Sequence, residues 1–301
     1  MKSTLFLNGL MESNHMVIIE LSGGLGNQMF QYALGQKLKF IGRDVKYDLS
    51  FYSNKEQTAR KYKLDLFGIK CPVASERDLA LMGQGKSFVN RIKQKFPFVQ
   101  KKLYIENLDK GYEQIVLELD DIYLSGYWQS EQYFYDIRDH ILKLYRLPKT
   151  VNVDNCNILK DIERENSVSI HIRRGDYLEG KNSDIYGNIC TLMYYTNAIK
   201  FINNHLKNPK YYIFTNDIKW ARERFSGTDM IVVDNKCSDE DYLDMFLMSK
   251  CKANIIANSS FSWWGAWLNQ SPNKIVISPQ RWFNNHNVTD IICNSWIKIP
   301  G

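Results

Sequence analysis

The sequence predicts an α/β protein of two Rossmann-like lobes, each with a parallel sheet, and three observations lead there. A chain of 301 residues, 44% of them hydrophobic, is long enough for more than one core. From residue 167 to 278, strand-like apolar runs alternate with helical spacing across short links, the pattern of a doubly wound parallel sheet. A separate strand, glycine turn and helix near the amino end begins a second unit. Residues 146–154 are polar and contain a proline, so the expected division is a lobe over 16–150 and a lobe over 151–301. Residues 1–15 show no periodicity and are expected to be a disordered leader.

In the first lobe, Val17, Ile18, Ile19 and Leu21 read as a buried strand. The turn Ser22-Gly-Gly-Leu-Gly-Asn-Gln28 leads to a helix expected from about residue 29 to 40. Gly24 and Gly26 let a ligand approach the backbone, and the helix amino end offers free N–H groups to an anion. An ordinary tight turn explains the glycines equally well. An NAD-dependent oxidoreductase would use the same turn with Asp44 or Asp48 on the ribose, but Met29 stands where the dinucleotide fingerprint needs its third glycine.

Residues 44–48 form a second strand pattern, and the stretch to Gly85 is irregular. Basic residues interleave with aromatics over 86–102, which reads as a solvated helix face, with an acidic membrane surface as the other reading. Residues 121–128 are a strand entering a loop, after which Gln129, Ser130 and Glu131 open a helix expected to run to Leu144. Tyr127, Trp128, Gln129 and Glu131 are candidates for binding a sugar acceptor, since aromatic faces stack on pyranose C–H bonds and amides bind hydroxyls. Core packing accounts for Tyr127 and Trp128 equally well.

The second lobe is organised around Ser167-Val-Ser-Ile-His-Ile-Arg-Arg-Gly-Asp176. Its period of two marks a strand, so Arg173 and Arg174 emerge at a carboxyl end, where open α/β sheets bind ligands. Guanidinium is always charged and grips two phosphate oxygens at once, which suits a diphosphate. His171 shares a strand face with Arg173 and reads as a structural group orienting the arginines or as a proton acceptor. The other strands end in Thr215, Asn216 and Asp217, in Asp234, and in Asn258, Ser259 and Ser260, all on one sheet edge. Ser259 and Ser260 open a helix that binds phosphate or is simply capped by them. Asp217 fits a base or ribose, or a cap. Trp263, Trp264 and Trp267 have the helical spacing of core residues.

Asp239-Glu-Asp241 follows Ser238 at capping-box spacing and reads as a helix start rather than a metal site. No other carboxylate or histidine cluster has ligand spacing, so arginines and helix ends are expected to meet phosphate charge with no metal cofactor. A net charge of +6 suits small polyanions or an anionic surface better than nucleic acid, for which nothing speaks. Six dispersed cysteines, never spaced Cys-x-x-Cys, read as reduced thiols. No apolar run is long enough to span a bilayer and no secretory signal pattern is present, so a cytoplasmic protein is expected, with peripheral contact at the inner membrane face left open.

Three motifs, Gly23-Gly-Leu-Gly-Asn-Gln28, His171-Ile-Arg-Arg-Gly-Asp176 and Ser259-Ser-Phe-Ser-Trp-Trp264, occur in an order and spacing that resembles the bacterial α-1,2-fucosyltransferases of glycosyltransferase family 11. The resemblance runs from about residue 16 to 278 and takes in Gly126-Tyr-Trp-Gln-Ser-Glu131. It implies a GT-B fold with a cleft between the lobes, GDP-fucose as donor, a terminal galactose of a surface glycan such as an O-antigen precursor as acceptor, inversion, and no metal. It also implies that Arg174 holds the donor phosphate and that Asn27 approaches the donor from the other lobe. Ser259, Ser260 and Phe261 would touch the phosphates, and Asp217 the nucleoside. Asp176 is the expected proton acceptor, with His171, Glu131 and the departing phosphate as alternatives. Asn216 stands where relatives often carry an acid, and the leader is a further departure. A non-catalytic sugar-nucleotide or glycan-binding protein would keep the same phosphate loops.

Overall fold

Two parallel sheets form the molecule. A computed structural model describes residues 15–53, 60–84, 102–146, 156–234 and 241–301. The first sheet has strand order β2-β1-β4-β3, with β1 Met16–Glu20, β2 Asp44–Asp48, β3 Leu103–Ile105 and β4 Ile122–Ser125. The second has order β10-β9-β8-β5-β6-β7, with β5 Ser167–Ile172, β6 Lys210–Thr215, β7 Met230–Val232, β8 Ala253–Ile255, β9 Ile275–Pro279 and β10 Ile297–Ile299. Every paired neighbour is parallel, so the loops after these strands collect on one edge of each sheet. The strand β5 is buried along its whole length, including Ser167, Ser169 and His171, because β6 and β8 flank it.

The helices are α1 Leu25–Phe40, α2 Ser50–Ser53, α3 Glu76–Leu81, α4 Arg138–Leu144, α5 Asn157–Arg164, α6 Gly180–Tyr186, α7 Leu192–His205, α8 Ile218–Arg224, α9 Asp241–Lys250 and α10 Ser260–Trp267. Together the two lobes give the GT-B arrangement expected from the resemblance. They share one core: Phe30 and Phe134 of the first lobe pack on Trp263 and Trp264 of the second, with Phe30 ring centroids 4.4 and 4.9 Å from the two indoles. All three tryptophans of α10 are buried, and each indole N–H is satisfied: Trp263 donates to Ile291 O, Trp264 to Gly26 O and Trp267 to Glu131 Oε2. Core packing is therefore their role.

Several expectations need correction. The helix after the glycine turn starts at Leu25 and takes Gly26, Asn27 and Gln28 into its first turn, because Gly24 serves as its N-cap. Residues 129–144 are not one helix: the 3-10 turns Glu131–Tyr133 and Tyr135–Ile137 precede α4, so the chain stays bent where its aromatic side chains enter the shared core. The irregular region holds α3, fixed by a capping box between Ser75 and Asp78. Cys156 is one half of a disulfide, whereas Cys71, Cys190, Cys251 and Cys293 are free thiols. The leader (except His15), the lobe boundary over 147–154, the basic stretch over 86–101 and the Asp239-Glu240 pair lie outside the described residues. No described helix is long and apolar enough to cross a membrane.

Candidate active site

A cleft of about 800 Å3 opens between the carboxyl edges of the two sheets. Its walls include Gly24, Gly26 and Asn27 from the glycine turn, Tyr127 and Gln129 from the loop after β4, His171 and Arg173 from the end of β5, and Ser259, Ser260 and Phe261 from the start of α10. A second concavity of about 540 Å3, lined by Phe67, Tyr145, Tyr242 and Phe246 among others, contains none of the residues singled out by sequence.

Gly26 explains how close the two loops come. A Cβ on Gly26 would lie 2.6 Å from the Ser260 carbonyl carbon and 2.8 Å from Phe261 N, so the first lobe's turn is seated directly on the Ser-Ser-Phe turn of the second. A Cβ on Gly24 would instead meet the Arg60 guanidinium at an unstrained 4.0 Å, and Gly23 has φ +76°. Neither Gly24 nor Ser259 caps its helix through a side-chain hydrogen bond. Side-chain capping by Ser259 is thus overturned: the residue adopts the extended N-cap backbone without a hydrogen bond from the helix to its hydroxyl. Both helix amino ends meet the cleft, where N–H groups and the dipole favour an anion.

Two buried amides of α1 hold the first lobe's walls. Gln31 accepts from Ser22 N and donates to Gly126 O, tying the glycine turn to the loop after β4. Gln28 donates to Gly23 O and Lys61 O and accepts from Lys63 N, which draws the segment 60–63 against the same turn. Arg60, Lys61 and Lys63 consequently line the cleft, a basic wall that sequence reasoning missed. Its only signal was a pair of glutamines three apart within an otherwise apolar helix face. Glu106, also missed, accepts from Tyr127 N at 2.6 Å and Trp128 N at 2.8 Å and so shapes the loop after β4; burial pushes its carboxyl pKa up. Gln129 Nε2 donates to Asn27 Oδ1 at 2.8 Å, joining a predicted acceptor residue to a predicted donor residue.

The end of β5 carries the charge. Arg173 lines the cleft, and its Nη2 donates to Asp176 Oδ2 at 2.7 Å. His171 is buried beside it, with its ring 5.7 Å from that of Phe261. Burial, and then the neighbouring Arg173 guanidinium, bring the His171 pKa from the ordinary 6.5 down to about 3, so the imidazole is neutral near pH 7. His171 Nδ1, Arg173 Nε and Asp176 Oδ1 are buried with no hydrogen-bond partner among the described residues. Such a group of unsatisfied polar atoms beside a cleft marks a place built for a polar ligand.

Expectations about several individual residues change. Arg174 does not line the cleft: its guanidinium lies over the Trp220 ring at 4.2 Å and its Nε donates to Asp217 Oδ2 at 3.1 Å, so stacking and pairing hold it aside. Asp217 is committed to that pair and, through Oδ1, to capping Trp220 N; the cap, then Arg174, holds its carboxyl below the usual range. Asn216 takes its place at the cleft and clamps the Arg174 backbone through both N–H and C=O. Asp176 accepts from both Arg173 and Arg60 on one oxygen, which makes it an organiser of cations. Trp128 is wholly buried among Tyr104 and Tyr133, beneath the loop rather than facing a sugar. Glu131 is drawn under α10 by the Trp267 indole and away from the cleft.

The oxidoreductase alternative loses its ribose ligand. Asp48 is buried and accepts from the Tyr123 hydroxyl and Ser50 N, while Asp44 begins β2 at the edge opposite the glycine turn. Among the described residues no group of three His, Cys, Asp or Glu could hold a metal ion.

The sequence comparisons agree with this geometry. The model of Glycosyl transferase family 11 matches residues 7–300. The O-antigen biosynthesis glycosyltransferase WbnK of Escherichia coli is 35% identical over 310 residues, covering 93% of this chain and 99% of that protein. An alpha-1,2-colitosyltransferase of Escherichia coli is 33% identical over 296 residues, covering 94% of this chain and 99% of its own length. Galactoside alpha-(1,2)-fucosyltransferase 2 of Sus scrofa is 23% identical over 152 residues, or 48% of this chain and 45% of that protein.

Proposed function

Since the chain belongs to glycosyl transferase family 11, we propose that it transfers L-fucose from GDP-fucose to the 2-hydroxyl of a terminal galactose on an O-antigen-type glycan, with inversion and without a metal ion. One observation carries the reading: the unsatisfied His171, Arg173 and Asp176 atoms sit at the end of β5, and the same cleft is walled by the helix amino ends at Gly24 and Ser259. In this reaction the bond from the anomeric carbon to the β-phosphate oxygen breaks while the galactose oxygen bonds from the opposite face. Negative charge grows on the departing diphosphate. Arg173 and the two helix ends are aimed at that charge, and fixed donors of this kind typically contribute about 10²–10³ each in turnover. Asp176 is bound by two arginines and His171 is a weak base, so the hydroxyl proton passes late to the diphosphate, which needs no strong base in the protein.

The partly matched fucosyltransferase supports the fucosyl donor and the galactose acceptor. The similarity to a colitosyltransferase favours a second reading, in which the donor sugar is colitose, a fucose lacking its 3-hydroxyl. Purified protein should be given GDP-fucose or GDP-colitose with a set of galactosides, with GDP release followed and the product linkage read by NMR, in EDTA and in manganese. Release of GDP with an α-1,2-fucosyl product in EDTA is the expected result. Turnover only with GDP-colitose would replace the donor, activity only with manganese would remove the metal-free mechanism, and binding of GDP-fucose without release would leave a carbohydrate-binding protein.

A further inference from the structure

We propose that Arg60 is a second cation for the donor diphosphate, delivered by the amino-terminal lobe and held ready beside Arg173 by Asp176. The inference rests on the sugar-nucleotide reading given above and adds a residue that none of the sequence motifs contains. Asp176 Oδ2 accepts from Arg60 Nη2 at 2.9 Å and from Arg173 Nη2 at 2.7 Å, so one carboxylate oxygen holds guanidinium groups from two lobes side by side at the cleft. Like charges gather in this way around an anion, and the described carboxylate between the two guanidinium groups is that of Asp176, whose other oxygen, Oδ1, is buried without a partner among the described residues. A diphosphate offers oxygen pairs to both guanidinium groups in the bidentate geometry that arginine favours.

Arg60 is also placed over the donor side of the cleft rather than anywhere on its rim. A Cβ on Gly24 would meet Arg60 Nη1 at 4.0 Å, so the Arg60 head group stands over the amino end of α1. The backbone that carries it is fixed by Gln28, which is fully buried and bonds both Lys61 O and Lys63 N. Two cations and two helix ends therefore converge on the cleft from opposite lobes.

The test measures GDP binding by calorimetry to the wild type and to Arg60→Ala and Arg60→Lys, with guanosine as a phosphate-free competitor and with donor and acceptor kinetics alongside. Arg60→Ala should weaken GDP by about 10- to 100-fold, the range of a charge-assisted hydrogen bond. Guanosine should compete equally well in both proteins, and Arg60→Lys should recover part of the loss. The acceptor KM should stay within about twofold. Equal GDP affinity in wild type and Arg60→Ala overturns the assignment. So does an acceptor KM that rises while GDP affinity holds, or an equal loss for GDP and guanosine accompanied by a lower Tm, which would mark a structural staple. A wild-type protein that binds no GDP would instead remove the sugar-nucleotide reading itself.

Discussion

Arg173 and Arg174 are adjacent in sequence and end in different places, and the cause is local. Arg173 continues the face of Ser169 and His171 past the end of β5 into the cleft. Arg174 turns outward, because Gly175 takes φ +58° and Asn216 grips the Arg174 backbone on both sides. Its guanidinium then stacks on Trp220 and pairs with Asp217. Arg173→Ala should lower kcat by at least about 100-fold. Arg174→Ala should lower it by less than about tenfold and cost on the order of 1 kcal/mol of stability through the lost stacking. Steady-state kinetics and denaturant unfolding of the two variants decide this, and the reverse ranking would return the phosphate contact to Arg174. The arginine pair was legible as an anion site from its place at a strand end. Which arginine serves was not, since it depends on a turn and on Asn216, which lies on another strand loop.

At the scale of elements, α1 and α10 meet end to end, and Gly26 is the point of contact. Adding a methyl group there puts it within 2.8 Å of Ser260 and Phe261 backbone atoms, which no rotamer change relieves. Gly26→Ala should cost about 1–3 kcal/mol, the usual range for overpacking, and should raise the donor KM because the two loops that wall the cleft are forced apart. Thermal unfolding and donor kinetics would show both effects; a variant with unchanged Tm and KM would mean the loops have room. Sequence marked the glycines as a close-approach turn without saying what approaches, since the partner is a turn in the other lobe. The same limit hid the basic wall over 60–63, which has no strand or helix period and is tied down by Gln28 and Asp176. Strands β3 and β10 escaped because, unlike the equally short β7 and β8, they lie outside the regular alternation of strands and helices over residues 167–278.

The whole molecule has two sheets and one continuous core. Phe30, Phe134 and Tyr145 from the first lobe and the α10 indoles from the second belong to a single buried cluster, and the chain after β9 returns to the first lobe, where Asp290 accepts from Tyr112 N and His286 meets Asp109. Heating should therefore give one cooperative transition whose calorimetric and van't Hoff enthalpies agree. Two resolved transitions would show that the lobes melt independently. The alternation of strands and helices made the two-lobe architecture legible from sequence, and the tryptophan spacing made α10 a core helix. That its core belongs to both lobes could not be read, because a helical period records that a face is buried and not by whom.

The seating of the α10 indoles in the neighbouring lobe bears on how such proteins can be recombined. A hybrid that takes one lobe from one parent and the other lobe from another would carry tryptophans into sockets shaped for a different set of rings. Exchanging the loop after β4 alone leaves Phe30, Phe134 and Tyr145 with the helix they were fitted to.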